Sequence, residues 1–156
     1  MASMSGLNHS FLLLEDVGDR RRTQYAKHLN DPRAVLLHDD VVGYFWDSLC
    51  WIPTANPGMP GCPKGFGLNR WGPTSISGKG ALVAASVFRA WATLLDNGPS
   101  SLVLTGPWTM TVGKPKSGHY AKLQVNRRQL VTTCRSIAAL ADQASVKGFW
   151  LLHEGI

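Results

Sequence analysis

Hydrophobic and polar positions alternate along this chain in a few clear rhythms, and the clearest lies between residues 80 and 97. Leu82, Val83, Val87, Phe88, Trp91, Leu94 and Leu95 are apolar. The polar positions Ser86, Arg89, Thr93 and Asp96 recur at steps of three, four and three. That spacing draws one narrow polar stripe and predicts a helix buried over most of its circumference. Ser77 precedes it as an N-cap, and Asn97-Gly98-Pro99 supplies a stop. A second helix is announced by Asn126 and Gln129, the two ends of a capping box. Leu130, Cys134, Ile137, Ala141 and Ala144 then fall on one face, and Gly148 closes the segment.

A period of two takes over elsewhere. In 119–125, Tyr120, Lys122 and Gln124 alternate with Ala121, Leu123 and Val125, the mark of a strand with one covered face. The preceding run 101–112 reads as a strand interrupted at Gly106-Pro107, with Gly113 to Gly118 as the hairpin turn between the two. Short apolar runs at 10–14 and 149–153 predict further strands. Segment 33–37 fits helix or strand equally. Segment 20–29 has helical composition, and 38–51 favours a helix with Asp39 and Asp40 in its first turn. Residues 1–9 read as a flexible tail outside the fold. Strands joined by hairpins, with two strong helices, predict one α+β domain over 1–156, an antiparallel or mixed sheet packed against those helices.

Between Tyr44 and Gly80 no rhythm holds. The stretch carries three of the six tryptophans, five of the nine prolines and seven of the sixteen glycines. Pro and Gly at that density break regular elements. Phe45, Trp46, Trp51, Phe66, Leu68 and Trp71 are nevertheless too apolar for a disordered linker. Residues 53–77 are therefore expected to form a long ordered loop, and loops of that length inside a domain are usually functional. Arg70-Trp71, two large side chains where no regular element buries both, is the expected binding pair within it.

Composition narrows the function classes. Hydrophobic residues make up 44% and charged ones 17%, a globular balance. The apolar runs are too short for a helical membrane span. Three cysteines, Cys50, Cys62 and Cys134, make neither a disulfide framework nor a zinc pattern, which predicts reduced thiols in the cytoplasm. The net charge of +6 is unevenly placed. Residues 1–50 carry five basic and seven acidic side chains, and residues 51–156 carry eleven basic and three acidic. The basic residues are mostly spread singly, which argues against a continuous phosphate track.

No catalytic motif is present. Gly72 to Gly80, GPTSISGKG, puts five residues where a P-loop has four and a glycine where it has Ser or Thr. There is no GxSxG elbow and no HExxH, so neither an enzyme nor a cofactor is expected. His38-Asp39-Asp40 is the one local cluster with acid, base and metal-ligand character, and it carries the alternative of a small metal-dependent hydrolase. A basic nucleic-acid-binding domain is the other alternative.

FWDSLCWIP, then GLNRWGPT, then a core helix, a hairpin, a capped helix and the terminal LLHEGI resemble the small cytosolic immunity proteins of bacterial polymorphic or contact-delivered toxin systems. The resemblance implies an α+β protein that binds and occludes one toxin domain without catalysis. Acidic side chains often face the toxin in such proteins, which points to Asp31, Asp39, Asp40 and Asp47. The +6 balance departs from the acidic character common there and leaves targets other than nucleases open. With the aromatic loop, the expected partner-binding residues are Asp39, Asp40, Trp46, Asp47, Arg70 and Trp71.

Overall fold

The computed structural model describes residues 7–16, 26–28, 30–55 and 64–156, apart from the side chains of Ala26 and of residues 114–116. The fold is α+β. Among the described residues six strands are present, β1 (Asn8–Glu15), β2 (Val35–His38), β3 (Pro73–Ile76), β4 (Ser101–Thr111), β5 (Lys114–Asn126) and β6 (Phe149–Glu154). The α-helices among those residues are α1 (Asp39–Leu49), α2 (Gly78–Asp96) and α3 (Arg127–Ala144). A 3-10 turn occupies Ala26–His28. The helical expectation for 20–29 otherwise lies outside the described residues, as does Cys62. No helix among the described residues is long and apolar enough to cross a membrane.

Strands β2, β1, β6 and β3 form an antiparallel sheet in that order. Period-two alternation sorts its side chains. Val35, Leu37, Phe11, Leu151 and Ile76 join the main core with the helices. Leu12, Trp150 and Leu152 form a smaller cluster with Leu14 and Ala34. Phe11 meets Phe88 of α2 edge to face, with ring centroids 5.5 Å apart.

Helices α2 and α3 pack on each other, and most of their buried residues are small, Ala81, Ala84, Ala85 and Ala92 on one and Cys134, Ala138, Ala141 and Ala144 on the other. Their side chains let the backbones come close. Two ion pairs, Arg89–Asp142 and Arg135–Asp96, bridge the helices and require them to run antiparallel. Burial around α2 is less complete than its apolar spacing predicts. Leu82 and Leu94 are exposed, because alanines rather than the large apolar residues form much of the seam. Asn126 caps α3 as expected, its side chain accepting from the Gln129 N–H at 3.0 Å. Ser77 stands at the N-cap of α2, where its side chain makes no capping bond.

Three further expectations change. Residues 1–9 are not all tail, because Asn8 and His9 belong to β1 and His9 is fully buried. The loop 53–77 ends in β3, a strand of the main sheet, and its described parts pair with one another through Pro53–Phe66 and Ala55–Ser75 bridges. The hairpin turn is not Gly113–Gly118. Thr111 pairs with Lys114, so the chain reverses at Val112-Gly113, where Gly113 takes φ 77°. Strands β4 and β5 form a separate two-stranded ribbon, with a register shift between Thr105 and Trp108 where Gly106-Pro107 intervenes.

Candidate functional site

At one end of the sheet the sequence places polar residues in phase with core residues. His9 precedes Phe11 by two on β1, and His153 follows Leu151 by two on β6. Phe11 pairs with His153, and Thr74 of β3 lies on the other side of His153. Both imidazoles therefore turn into the core, stacked with centroids 5.0 Å apart. His9 Nδ1 lies 2.7 Å from His153 Nε2, and His9 Nε2 lies 3.0 Å from Asp39 Oδ1. His153 Nδ1 lies 3.4 Å from the Thr74 hydroxyl, which also accepts the Asn69 N–H at 2.8 Å.

These contacts admit one arrangement with both rings neutral. The Asp39 carboxylate only accepts, so His9 carries its proton on Nε2. His9 Nδ1 then accepts from His153 Nε2–H, and His153 Nδ1 accepts from the Thr74 O–H. Burial drives the pKa of His153 well below its ordinary 6.5, and the neighbouring His9 adds to the effect. Burial also lowers His9, against the raising influence of its bond to Asp39. For Asp39 burial works upward, but the bonds from Arg70 and His9 outweigh it and hold the carboxyl below the usual range.

Asp39 closes the network at the surface. As the first residue of α1 it receives Arg70 in a fork, Nε to Oδ1 at 2.9 Å and Nη2 to Oδ2 at 2.7 Å. That bond raises the Arg70 pKa. The guanidinium also stands 5.9 Å from the Trp46 ring centroid, within cation–π range. Backbone bonds fix the turn that carries Arg70. The Trp71 N–H donates to Asn69 Oδ1 at 3.0 Å, Ile156 N–H to the Arg70 carbonyl at 2.9 Å, and Gly155 N–H to the Gly72 carbonyl at 3.0 Å. A Cβ at position 155 would overlap the Arg70 carbonyl, so the close approach requires glycine. On this clamped turn Trp71 is 64% exposed.

Comparison with family models, curated proteins and solved structures finds no match to this chain. Function rests on the geometry alone. Among the expected binding residues, Asp39, Arg70 and Trp46 come together, with Trp71 next in the chain. Asp40 and Asp47 are exposed on α1, seven positions apart and so on one face. Asp31 is engaged locally by Arg33, whose bonds lower its pKa to about 2. The three residues of the hydrolase alternative diverge. His38 Nδ1 accepts the Asp40 N–H and lies 3.6 Å from Asp40 Oδ2, while Asp39 turns away to Arg70 and His9. Among the described residues no group of three His, Cys, Asp or Glu is placed to hold a metal.

The order Thr74–His153–His9–Asp39 is that of a charge relay, hydroxyl to imidazole to carboxylate. Thr74 and both rings are buried, however, so no substrate carbonyl reaches the hydroxyl. What the network does is mechanical. It ties β1, β6, β3 and the start of α1 to the Arg70 turn. His9, His153 and Thr74 were missed in the sequence reading. The available signal was the phase of His9 with Phe11 and of His153 with Leu151.

Proposed function

We propose that this chain is a non-enzymatic protein-binding module whose anchor is Trp71. One observation carries the reading: a large aromatic side chain is displayed to solvent on a turn held from beneath by Arg70, Asp39 and the two buried histidines. A rigid, exposed aromatic loses little entropy on binding and supplies large contact area, the usual character of an interface anchor. Asp40 and Asp47 are exposed on α1, the helix whose first residue holds Arg70, and Asp40 acts electrostatically on that guanidinium. Asp39 and Arg70 position the turn. The concrete form proposed is an immunity protein that occludes a bacterial toxin domain in the cytoplasm.

A toxin gene is expected beside this one, and co-expression with that toxin tests the proposal. Rescue of growth and a stable complex by calorimetry are the expected results. Trp71→Ala should weaken that complex by about 2 kcal/mol, roughly thirtyfold, while leaving the fold intact. No rescue by the wild-type chain defeats the immunity reading. Unchanged affinity in a folded Trp71→Ala variant removes the turn from the interface.

A further inference from the structure

The ribbon of β4 and β5 takes no part in the Trp71 turn, and its two faces differ. Leu102 and Val125 enter the core from one face. On the other stand Val103, Thr105, Trp108, Met110, Tyr120 and Lys122, all exposed. Trp108 and Tyr120 are cross-strand partners, in edge-to-face contact with centroids 5.0 Å apart. The Trp108 indole lies over Gly118. A Cβ there would come within 2.8 Å of both Cε2 and Nε1. Glycine beneath and Tyr120 at the side hold the indole in one orientation, yet Trp108 is still 53% and Tyr120 54% exposed.

Charge gives this face its direction. From residue 97 to 141 the chain contains no Asp or Glu and six basic side chains. Arg135 is neutralised by Asp96 across the helix pair, as Arg89 is by Asp142. Among the described side chains, Lys122, Arg127 and Arg128 have no such acidic partner, and Arg127 donates to the Gly98 carbonyl. Lys122 donates to the neutral Thr105 hydroxyl at 2.6 Å, one step along the strand from Tyr120. Arg127 and Arg128 follow directly where β5 runs into α3, and Lys114 and Lys116 lie in the strand after the turn.

We infer that the outer face of this ribbon binds single-stranded nucleic acid. Unpaired bases stack on Trp108 and Tyr120, and the phosphates run beside Lys122 toward Arg127 and Arg128. From Gly118 to Asn126 the strand extends about 27 Å, room for several nucleotides. A duplex keeps its bases stacked on each other and offers nothing to an aromatic platform. An anionic membrane would meet the ribbon at its turn, whereas here the aromatic and basic groups follow the strand and alternate with Thr105 and Gln124. The inference is independent of the Trp71 reading, since the two surfaces share no residue.

Fluorescence anisotropy with a labelled fifteen-residue oligothymidylate, its duplex with oligoadenylate, and the full chain decides the matter. The expected result at about 50 mM salt is binding to the single strand in preference to the duplex, weakening steeply as salt rises. Trp108→Ala should lose about tenfold in affinity, and Trp108→Phe should keep most of it. Lys122→Ala should make the dependence of log affinity on log salt shallower by about 0.7. Trp71→Ala should bind like wild type. Absence of binding at low salt overturns the inference, as does wild-type affinity in both Trp108→Ala and Lys122→Ala. Sedimentation with vesicles of phosphatidylcholine and phosphatidylserine, without binding of the oligonucleotide, overturns it in favour of a membrane. If Trp108→Ala does not fold, Trp108→Phe and Lys122→Ala carry the comparison.

Discussion

Mild acid should destabilise this protein through two buried rings. His9 and His153 are both held below 6.5 in the folded chain, His153 the further of the two. In the unfolded chain both return to about 6.5. Between the two sets of values the unfolded state binds more protons, so stability rises with pH there and falls as pH is lowered. The native advantage is whole above about pH 7 and drains as pH falls through 6.5. At pH 5.5 an unfolded imidazole gains about 1.4 kcal/mol from protonation that a buried neutral ring forgoes. His153 alone therefore costs the fold about 1.4 kcal/mol, and both rings together cost up to about 2.8 kcal/mol. The true figure falls between them, because the bond to Asp39 partly restores His9. The carboxyls whose pKa the fold lowers, Asp31, Asp39 and Asp142, act only at lower pH, which leaves this window to the histidines.

Urea unfolding at pH 7.5, 6.5 and 5.5 measures the effect. With an m-value of about 2 kcal/mol/M, the midpoint should fall by about 1 M from the first to the last. His153→Gln removes one of the two titrating rings, so it should cut the pH dependence by half or more, whatever it does to stability at pH 7.5. A change under about 0.5 kcal/mol across the range would mean that the rings are not buried and neutral in the native state. The relay arrangement would then be wrong. Nitrogen chemical shifts of the two rings offer a second check, with His9 protonated on Nε2 and His153 on Nε2.

Three other outcomes are expected. Arg70→Ala leaves the mostly buried Asp39 with His9 alone and should cost about 1–2 kcal/mol in urea unfolding at pH 7, a value kept low by the partial exposure of Arg70; a loss below about 0.3 kcal/mol would show the fork to be unimportant. Gly155→Ala should push the Arg70 carbonyl away and weaken partner binding along with Trp71→Ala, at a stability cost of about 1–3 kcal/mol. Burial pushes the Cys134 thiol up to about 12, so it should react with a thiol reagent only after denaturation. Rapid labelling of Cys134 in the native protein would contradict its place in the α2–α3 seam.

Local signals were legible in the sequence and long-range ones were not. The Asn126 cap, the stop at Asn97-Gly98 and the alternation through Tyr120 and Lys122 depend on neighbours a few residues away, and each marks an element found in the structure. Strand β3 was hidden for the opposite reason. PTSI is four residues inside a Pro- and Gly-rich stretch, and it becomes a strand because β6 and Ala55 pair with it. Pro115 and the flanking glycines drew the predicted hairpin turn too late, although Lys114 onward is strand. The site suffered most. Asp39, Arg70 and Trp46 were singled out by type and position, but the bond between Asp39 and Arg70 spans 31 residues and that between His9 and His153 spans 144. No periodicity carries that information.

The net charge of +6 is unevenly placed along the chain, and it is a poor guide to either surface. The cation on the Trp71 turn, Arg70, is spent on Asp39, and the exposed Asp40 lies close enough to act on it electrostatically. On the ribbon the described basic side chains, Lys122, Arg127 and Arg128, lack acidic partners. A single partner whose charge suits one surface is mismatched to the other. A protein partner of the Trp71 turn is therefore expected to bring basic or neutral groups, and a polyanion is expected to go to the ribbon. Competition separates the two: excess oligothymidylate should leave a Trp71-dependent complex in place. Displacement of that complex by the oligonucleotide would mean that the two surfaces act as one.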